Sequence, residues 1–260
     1  MESSHVHHGS CLCGGVSFEM TDPCGISVCH CSQCRRTSGH IWAATSVPLG
    51  DFHLIRAETL RWFPSSPEAQ RGFCATCGAS LFWQLHGEGR MHAAPGAFDD
   101  PTGLTFERHI FSEDAADYYR PEGPPPVAVA AAPNTLDCAC LCGAVAFSLS
   151  GPTGPITACH CRQCRKLSGY YAASFDADES TLVWHGKSGL AEYQTPGHGR
   201  RGFCEGCGSS LYFRSAMGEF SIEIGAVTGP TGGRLSEHIF VGSKGDHYDI
   251  TDGLPQHGRV

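Results

Sequence analysis

Lysine is absent from residues 1–130, and the whole chain carries 18 Lys and Arg against 26 Asp and Glu, for a formal charge of −8. A chain of that sign lacks the cationic surface that a phosphate backbone demands, so nucleic acid is not expected as a partner. No apolar run approaches the ~20 residues that cross a bilayer as a helix, so no membrane partner is expected. Met1 to Ser10 contains no apolar segment of the signal-peptide kind, and a cytoplasmic location is expected. Long stretches of helical period are also missing. Only the residues after Cys34 and after Cys164 suggest a short helix, which points to a mostly-β protein.

What the chain does have is cysteine: 16 in 260 residues, a length that suits two domains. Most sit in C-x-C and C-x-x-C pairs. Without an export signal, such pairs read as reduced, metal-binding thiols rather than disulfides. The pattern is written twice. Cys11, Cys29, Cys74 and His109 recur as Cys140, Cys159, Cys204 and His238, at an offset that stays at 129 or 130. So constant an offset indicates duplication. Pro121 to Pro133, rich in proline and alanine, reads as a semi-extended linker. The expected division is a first zinc domain at 1–120, a linker at 121–134 and a second zinc domain at 135–260.

Within the first repeat, Val16, Phe18 and Met20 alternate with polar residues and read as a strand, as do 41–47 and 52–56. Phe220, Ile222 and Ile224 alternate in the same way in the second. His5, His7 and His8 read as a mobile tail, and Cys24 and Cys138, which have no counterpart in the other repeat, read as spare.

The cysteines form two kinds of cluster. Cys11, Cys13, Cys74 and Cys77, and again Cys140, Cys142, Cys204 and Cys207, supply four thiolates each, enough to close a tetrahedral Zn²⁺ at about 2.3 Å. Their ligands come from opposite ends of a repeat, so the metal would tie its first strand to a late one. Cys29, Cys31 and Cys34, and again Cys159, Cys161 and Cys164, supply only three. A fourth position stays free for water or a substrate sulfur, and zinc favours the ionised form of a thiol bound there. His30 and His160 lie between ligands, as partners of the site, proton carriers or outward-facing side chains. Arg35, Arg36, Arg165 and Lys166 suit a substrate carboxylate, and equally could offset thiolate charge or face solvent.

The order C-x-C-G, C-H-C-x-x-C-R, R-G-F-C-x-x-C-G and H-I-F resembles that of the glutathione-dependent formaldehyde-activating enzyme (GFA) family, also called the CENP-V/GFA domain family. The resemblance covers nearly all of both repeats. It implies two tandem Mss4-like zinc-binding domains of mostly-β fold, and a carbon–sulfur lyase that joins glutathione and formaldehyde as S-hydroxymethylglutathione. Carried over by motif, the four-cysteine sets are the structural zinc ligands and the three-cysteine sets the catalytic ones. Up to four Zn²⁺ per chain are then expected, two structural and two catalytic. The partners would be a small thiol such as glutathione and an aldehyde, and the two repeats could pack as a pseudo-dimer. The rival expectation is a non-catalytic zinc-binding interaction module.

Overall fold

The computed structural model describes residues 4–126, 132–195, 197 and 199–259. Each half of the chain builds one three-stranded and one seven-stranded sheet, so the fold is mostly β in two similar copies. In the first half the small sheet pairs Val6–Ser10, Ser17–Thr21 and Phe52–Arg56, all antiparallel. Phe18 and Met20 turn into the core while Ser17 and Glu19 face outward, as the sequence alternation requires. The Val6–Ser10 strand corrects the expectation of a mobile histidine tail. Its backbone satisfies the free edge of Ser17–Thr21, and His8 approaches Glu19 at 3.2 Å.

The large sheet runs in the order Phe106–Ile110, Ile26–Cys29, Trp42–Pro48, Arg90–Ala93, Ser80–Leu85, Ala69–Cys74 and Leu60–Ser66. Phe106–Ile110 joins Ile26–Cys29 in parallel, which brings the H-I-F segment beside the first cysteine of the C-H-C motif. The second half repeats this order, with Arg234–Ile239 beside Pro155–Cys159. Its strand Phe220–Glu223 ends one residue short of the expected Ile224. There the chain enters a tight turn, Ile224–Ala226, that packs against the other half.

A seven-residue helix follows each C-H-C segment: α1, Ser32–Ser38, and α2, Arg162–Ser168. Both stop at a glycine, Gly39 with φ 89° and Gly169 with φ 88°, a left-handed conformation that closes the last turn at little steric cost.

Contacts between the halves come in reciprocal pairs, as across an isologous interface. Gly225 N–H donates to Gly39 O at 2.7 Å, and Gly96 N–H to Gly169 O at 2.8 Å. Asp117 accepts from Thr231 N–H and Oγ1 at 2.8 and 2.9 Å, while Asp246 accepts from Gly103 N–H and Thr102 Oγ1 at 2.7 and 2.8 Å. Gly96 and Gly225 are needed because a Cβ on either would lie 2.4 or 2.0 Å from the carbonyl oxygen of Arg165 or Arg35. One buried apolar cluster runs through both halves. Of the expected linker, residues 127–131 lie outside the described residues, and Pro121 and Gly123 line a cavity between the halves.

Candidate metal centre

The C-x-C turn before the second strand and the C-x-x-C turn after Ala69–Cys74 meet at one end of each repeat. There the Sγ atoms of Cys11, Cys13, Cys74 and Cys77, and of Cys140, Cys142, Cys204 and Cys207, lie within 4.8 Å of one another. Cys11–Cys13 and Cys13–Cys74 are 3.5 Å apart, and Cys142–Cys204 is 3.7 Å. A tetrahedral ion with ~2.3 Å bonds to sulfur would set its ligands about 3.8 Å apart, whereas a disulfide needs ~2.0 Å. All 16 cysteines are free. Backbone N–H groups of Val16 and Val145 donate to Cys11 and Cys140 Sγ at 3.2 and 3.3 Å, as suits sulfur carrying negative charge. The donor sets therefore fit a closed four-sulfur metal site.

The three-cysteine sets also converge, Cys29, Cys31 and Cys34 in one half and Cys159, Cys161 and Cys164 in the other. Strand, turn and helix position them: Cys29 ends Ile26–Cys29, Cys31 caps α1, and Cys34 lies in its first turn. Cys29, then Cys34, hold the Cys31 thiol down to about 2, while Cys31, then Cys34, push that of Cys29 well up. Cys161 and Cys159 behave alike, and Cys159 is the first cause at Cys161. Three such sulfurs cannot all ionise side by side without a cation, which is the chemistry of a metal site with one vacant ligand position. A cation already leans on each cluster. Arg71 Nη2 donates to Cys34 Sγ at 3.4 Å and Arg201 Nη2 to Cys164 Sγ at 3.5 Å.

The walls of the two clusters differ. Trp42 lies directly across from Cys29 in the sheet, and Ala172 lies across from Cys159. Ala94, fully buried, packs with Cys29, Cys34 and Trp42. At the corresponding place in the second half stands Glu223, 4% exposed, with Oε1 3.9 Å from Arg201 Nη1. Burial pushes its carboxyl up to about 8, opposed by Arg201 and reinforced by Cys164.

His30 and His160 point away from the sulfurs and are buried, so neither faces solvent. Each is bonded at both ring nitrogens. In the second half Asp252 Oδ2 accepts from His238 Nε2 at 2.8 Å, which leaves His238 Nδ1 to accept from His160 Nε2 and His160 Nδ1 to accept from the Tyr248 hydroxyl. The first half builds Tyr119–His30–His109 with 2.9 Å at both joints. Both rows border one cavity of about 670 Å³ between the halves. Burial, then the neighbouring imidazole, lowers His30 to about 4 and His160 to about 3.

Three of the four cations behind the clusters, Arg35, Arg165 and Lys166, are engaged by the protein's own groups. Arg165, buried, forks onto Asp100 of the first half at 2.7 and 3.2 Å. Lys166 donates to Ser10 and to Ala97 O, and Arg35 to His30 O and Asp114 O. Helix geometry turns these side chains toward the interface or the following loop, away from the sulfurs. Cys24 and Cys138 join neither kind of cluster. Motif reading missed Arg71, Arg201, Trp42 and Glu223. The R-G-F-C repetition was a signal for the arginines, whereas Trp42 and Glu223 differ between copies and leave no trace in a repeat pattern.

Comparison with known proteins bears on the chemistry. The profile of the glutathione-dependent formaldehyde-activating enzyme family matches residues 6–114 and again 135–243. A protein of Schizosaccharomyces pombe described as an uncharacterized lyase is 26% identical over 121 residues, spanning 44% of this chain and 83% of that one. A crystal structure of a Rhodobacter sphaeroides protein is 25% identical, with 40% of this chain and 99% of that chain covered, at a TM-score of 0.33. No helix among the described residues is long and apolar enough to cross a membrane. With both halves matched from their first strand through the H-I-F segment, the chain belongs to the glutathione-dependent formaldehyde-activating enzyme family.

Proposed function

We propose that the protein is a zinc-dependent carbon–sulfur lyase acting on adducts of a small thiol, such as glutathione, with formaldehyde or another aldehyde. The observation that carries this reading is the pair of three-sulfur clusters, each one ligand short of a tetrahedron and each touched by an arginine. Cys29, Cys31 and Cys34, and Cys159, Cys161 and Cys164, would hold the ion. Zinc at these sulfurs would supply the Lewis acidity that makes a weak thiol a thiolate at neutral pH. Arg71 and Arg201 offset the sulfur charge through their N–H groups. Trp83 and Ile110 pack against the first cluster and limit the water around it. In the adduct-forming direction the thiol loses its proton, sulfur bonds to the aldehyde carbon, and the carbonyl oxygen gains a proton. Cleavage is the reverse.

In the same reading the two four-cysteine clusters hold structural zinc, and residues 1–120 and 135–260 are two domains packed as a pseudo-dimer on either side of the 121–134 linker. The unpaired thiols suit a cytoplasmic setting.

Exchange spectroscopy on glutathione and formaldehyde tests the proposal. Acceleration by the native chain should vanish when Cys31→Ser and Cys161→Ser are combined, and acceleration that survives both overturns it. Metal analysis offers an independent arm. Four zinc ions per chain, two of them displaced by thiols, support the lyase. Two tightly held ions and no thiol effect would point instead to a zinc-binding interaction module.

A further inference from the structure

Both short helices turn cations toward the opposite half, and only α2 finds carboxylates there. Arg165 forks onto Asp100 at 2.7 and 3.2 Å, Arg162 donates to Asp99 at 3.1 Å, and Lys166 Nζ lies 3.9 Å from Asp99. The repeat offset puts Arg35 and Arg36 of α1 in the places of Arg165 and Lys166. It puts Thr228 and Gly229 in those of Asp99 and Asp100. Ala139 likewise replaces Ser10, whose hydroxyl accepts from Lys166 at 2.8 Å. Among the described residues neither Arg35 nor Arg36 joins an ion pair, whereas all three α2 cations do. Arg35 donates from Nε and Nη2 to the carbonyls of His30 and Asp114 alone. The Arg36 side chain has no hydrogen-bond partner among the described residues.

A cavity of about 330 Å³ takes the room that two aspartates would fill. Ser32, Arg35 and Arg36 line it from α1, and Thr228 and Gly229 line it from the second half. A Cβ on Gly229 would meet no atom within 4 Å, so the space in front of it is open. Asp117 also borders the cavity, but its two carboxylate oxygens accept from Thr231 N–H and Oγ1. The equivalent Asp246 is bonded in the same way to Thr102 and Gly103, just after Asp99 and Asp100 in the chain. An aspartate at this place therefore does not bar further carboxylates beside the helix.

A guanidinium fork matches the oxygens of a carboxylate or a phosphate. Here two guanidinium groups border an open space whose counterpart in the other half is filled by two carboxylates. We propose that this cavity binds a small carboxylate or phosphate anion, which takes the part that Asp99 and Asp100 play at α2. Arg35 Nη1 and the Arg36 guanidinium are its donors. The bound anion fastens α1 to the second half as Asp100 fastens α2. This site does not depend on the thiol reading above.

Calorimetry on the full zinc-loaded chain tests the site, with succinate and inorganic phosphate as probes. One anion should bind per chain, and the melting temperature should rise with its concentration. The tighter probe assigns the site to carboxylates or to phosphates, and either supports the proposal. Gly229→Asp returns a carboxylate to Arg35 and should weaken the anion by about tenfold, the worth of one hydrogen bond to a charged group. Arg36→Gln should weaken it by a similar factor. Asp99→Thr combined with Asp100→Gly should open the equivalent space at α2 and raise the count from one anion to two, a gain that misfolding cannot mimic. A count that stays at one while that variant still melts cooperatively overturns the inference. So does a native chain that binds neither probe. Binding that is unchanged by both Gly229→Asp and Arg36→Gln places the anion elsewhere, at a metal ion for example, and overturns it too.

Discussion

The two halves share seven cysteines at matched places yet are fastened differently. In the second half, α2 reaches across to the first. Arg165 forks onto Asp100, and Lys166 is capped by Ser10 and the Ala97 carbonyl. In the first half, Arg35 turns back to its own Asp114 carbonyl, because Gly229 stands where Asp100 would be needed. The glycine and aspartate contacts remain reciprocal while those of the helix cations have become one-sided. Backbone packing admits no variation there, since any Cβ would strike a carbonyl, but side-chain pairing is free to drift.

The comparison breaks most sharply at the metal. Cys77→Ala or Cys207→Ala should abolish cooperative folding of its half, seen by calorimetry. Structural zinc is worth on the order of 10–16 kcal/mol in small peptides against about 5–15 kcal/mol for a whole domain. Cys31→Ser, in a cluster that ties no distant strands together, should leave the melting temperature within a few degrees of native. An unchanged melting curve after chelation would remove the structural role.

Next in size is the one-sided fastening. Asp100→Ala strands a buried guanidinium and should cost about 3 kcal/mol in urea unfolding. Arg35→Ala, with only carbonyl partners, should cost about 1 kcal/mol. Equal losses would mean that the charged asymmetry carries no energy.

A smaller effect concerns acid. His247 stands where the first half has Tyr118, and burial lowers it from the ordinary histidine value of about 6.5 to about 4. Its unfolded form binds a proton first, so stability falls as pH drops from about 6.5 toward 4. His247→Tyr should flatten part of that fall in urea midpoints followed against pH. A slope identical to native would assign the acid sensitivity to other groups.

The smallest effect separates the patterned cysteines from the spare one at the surface. Cys24→Ser should change stability by less than about 0.5 kcal/mol and leave the zinc content unchanged by metal analysis.

The strand of Phe18 and Met20, the two short helices and all four cysteine sets could be read from alternation and spacing, because these rest on local period and on ligand number. The strand at Val6–Ser10 could not, since what orders it is a free sheet edge supplied by residues downstream. The roles of Arg165 and Lys166 were hidden for a related reason. Their partners, Asp100 and Ser10, lie in the other half, and no local pattern announces a contact across 65 or 156 residues. Trp42 and Glu223 escaped because comparing repeats rewards sameness, and these positions hold different residues in the two halves.

Gly39 and Gly169 face each other's half through one covalently continuous chain. In an ordinary homodimer every substitution lands twice, so a mutation that suits one flank of the axis must be tolerated on the other. Joining the protomers removes that constraint. Each flank can then evolve against a fixed neighbour, and a residue as ill-suited to symmetry as a buried glutamate can settle on one side alone.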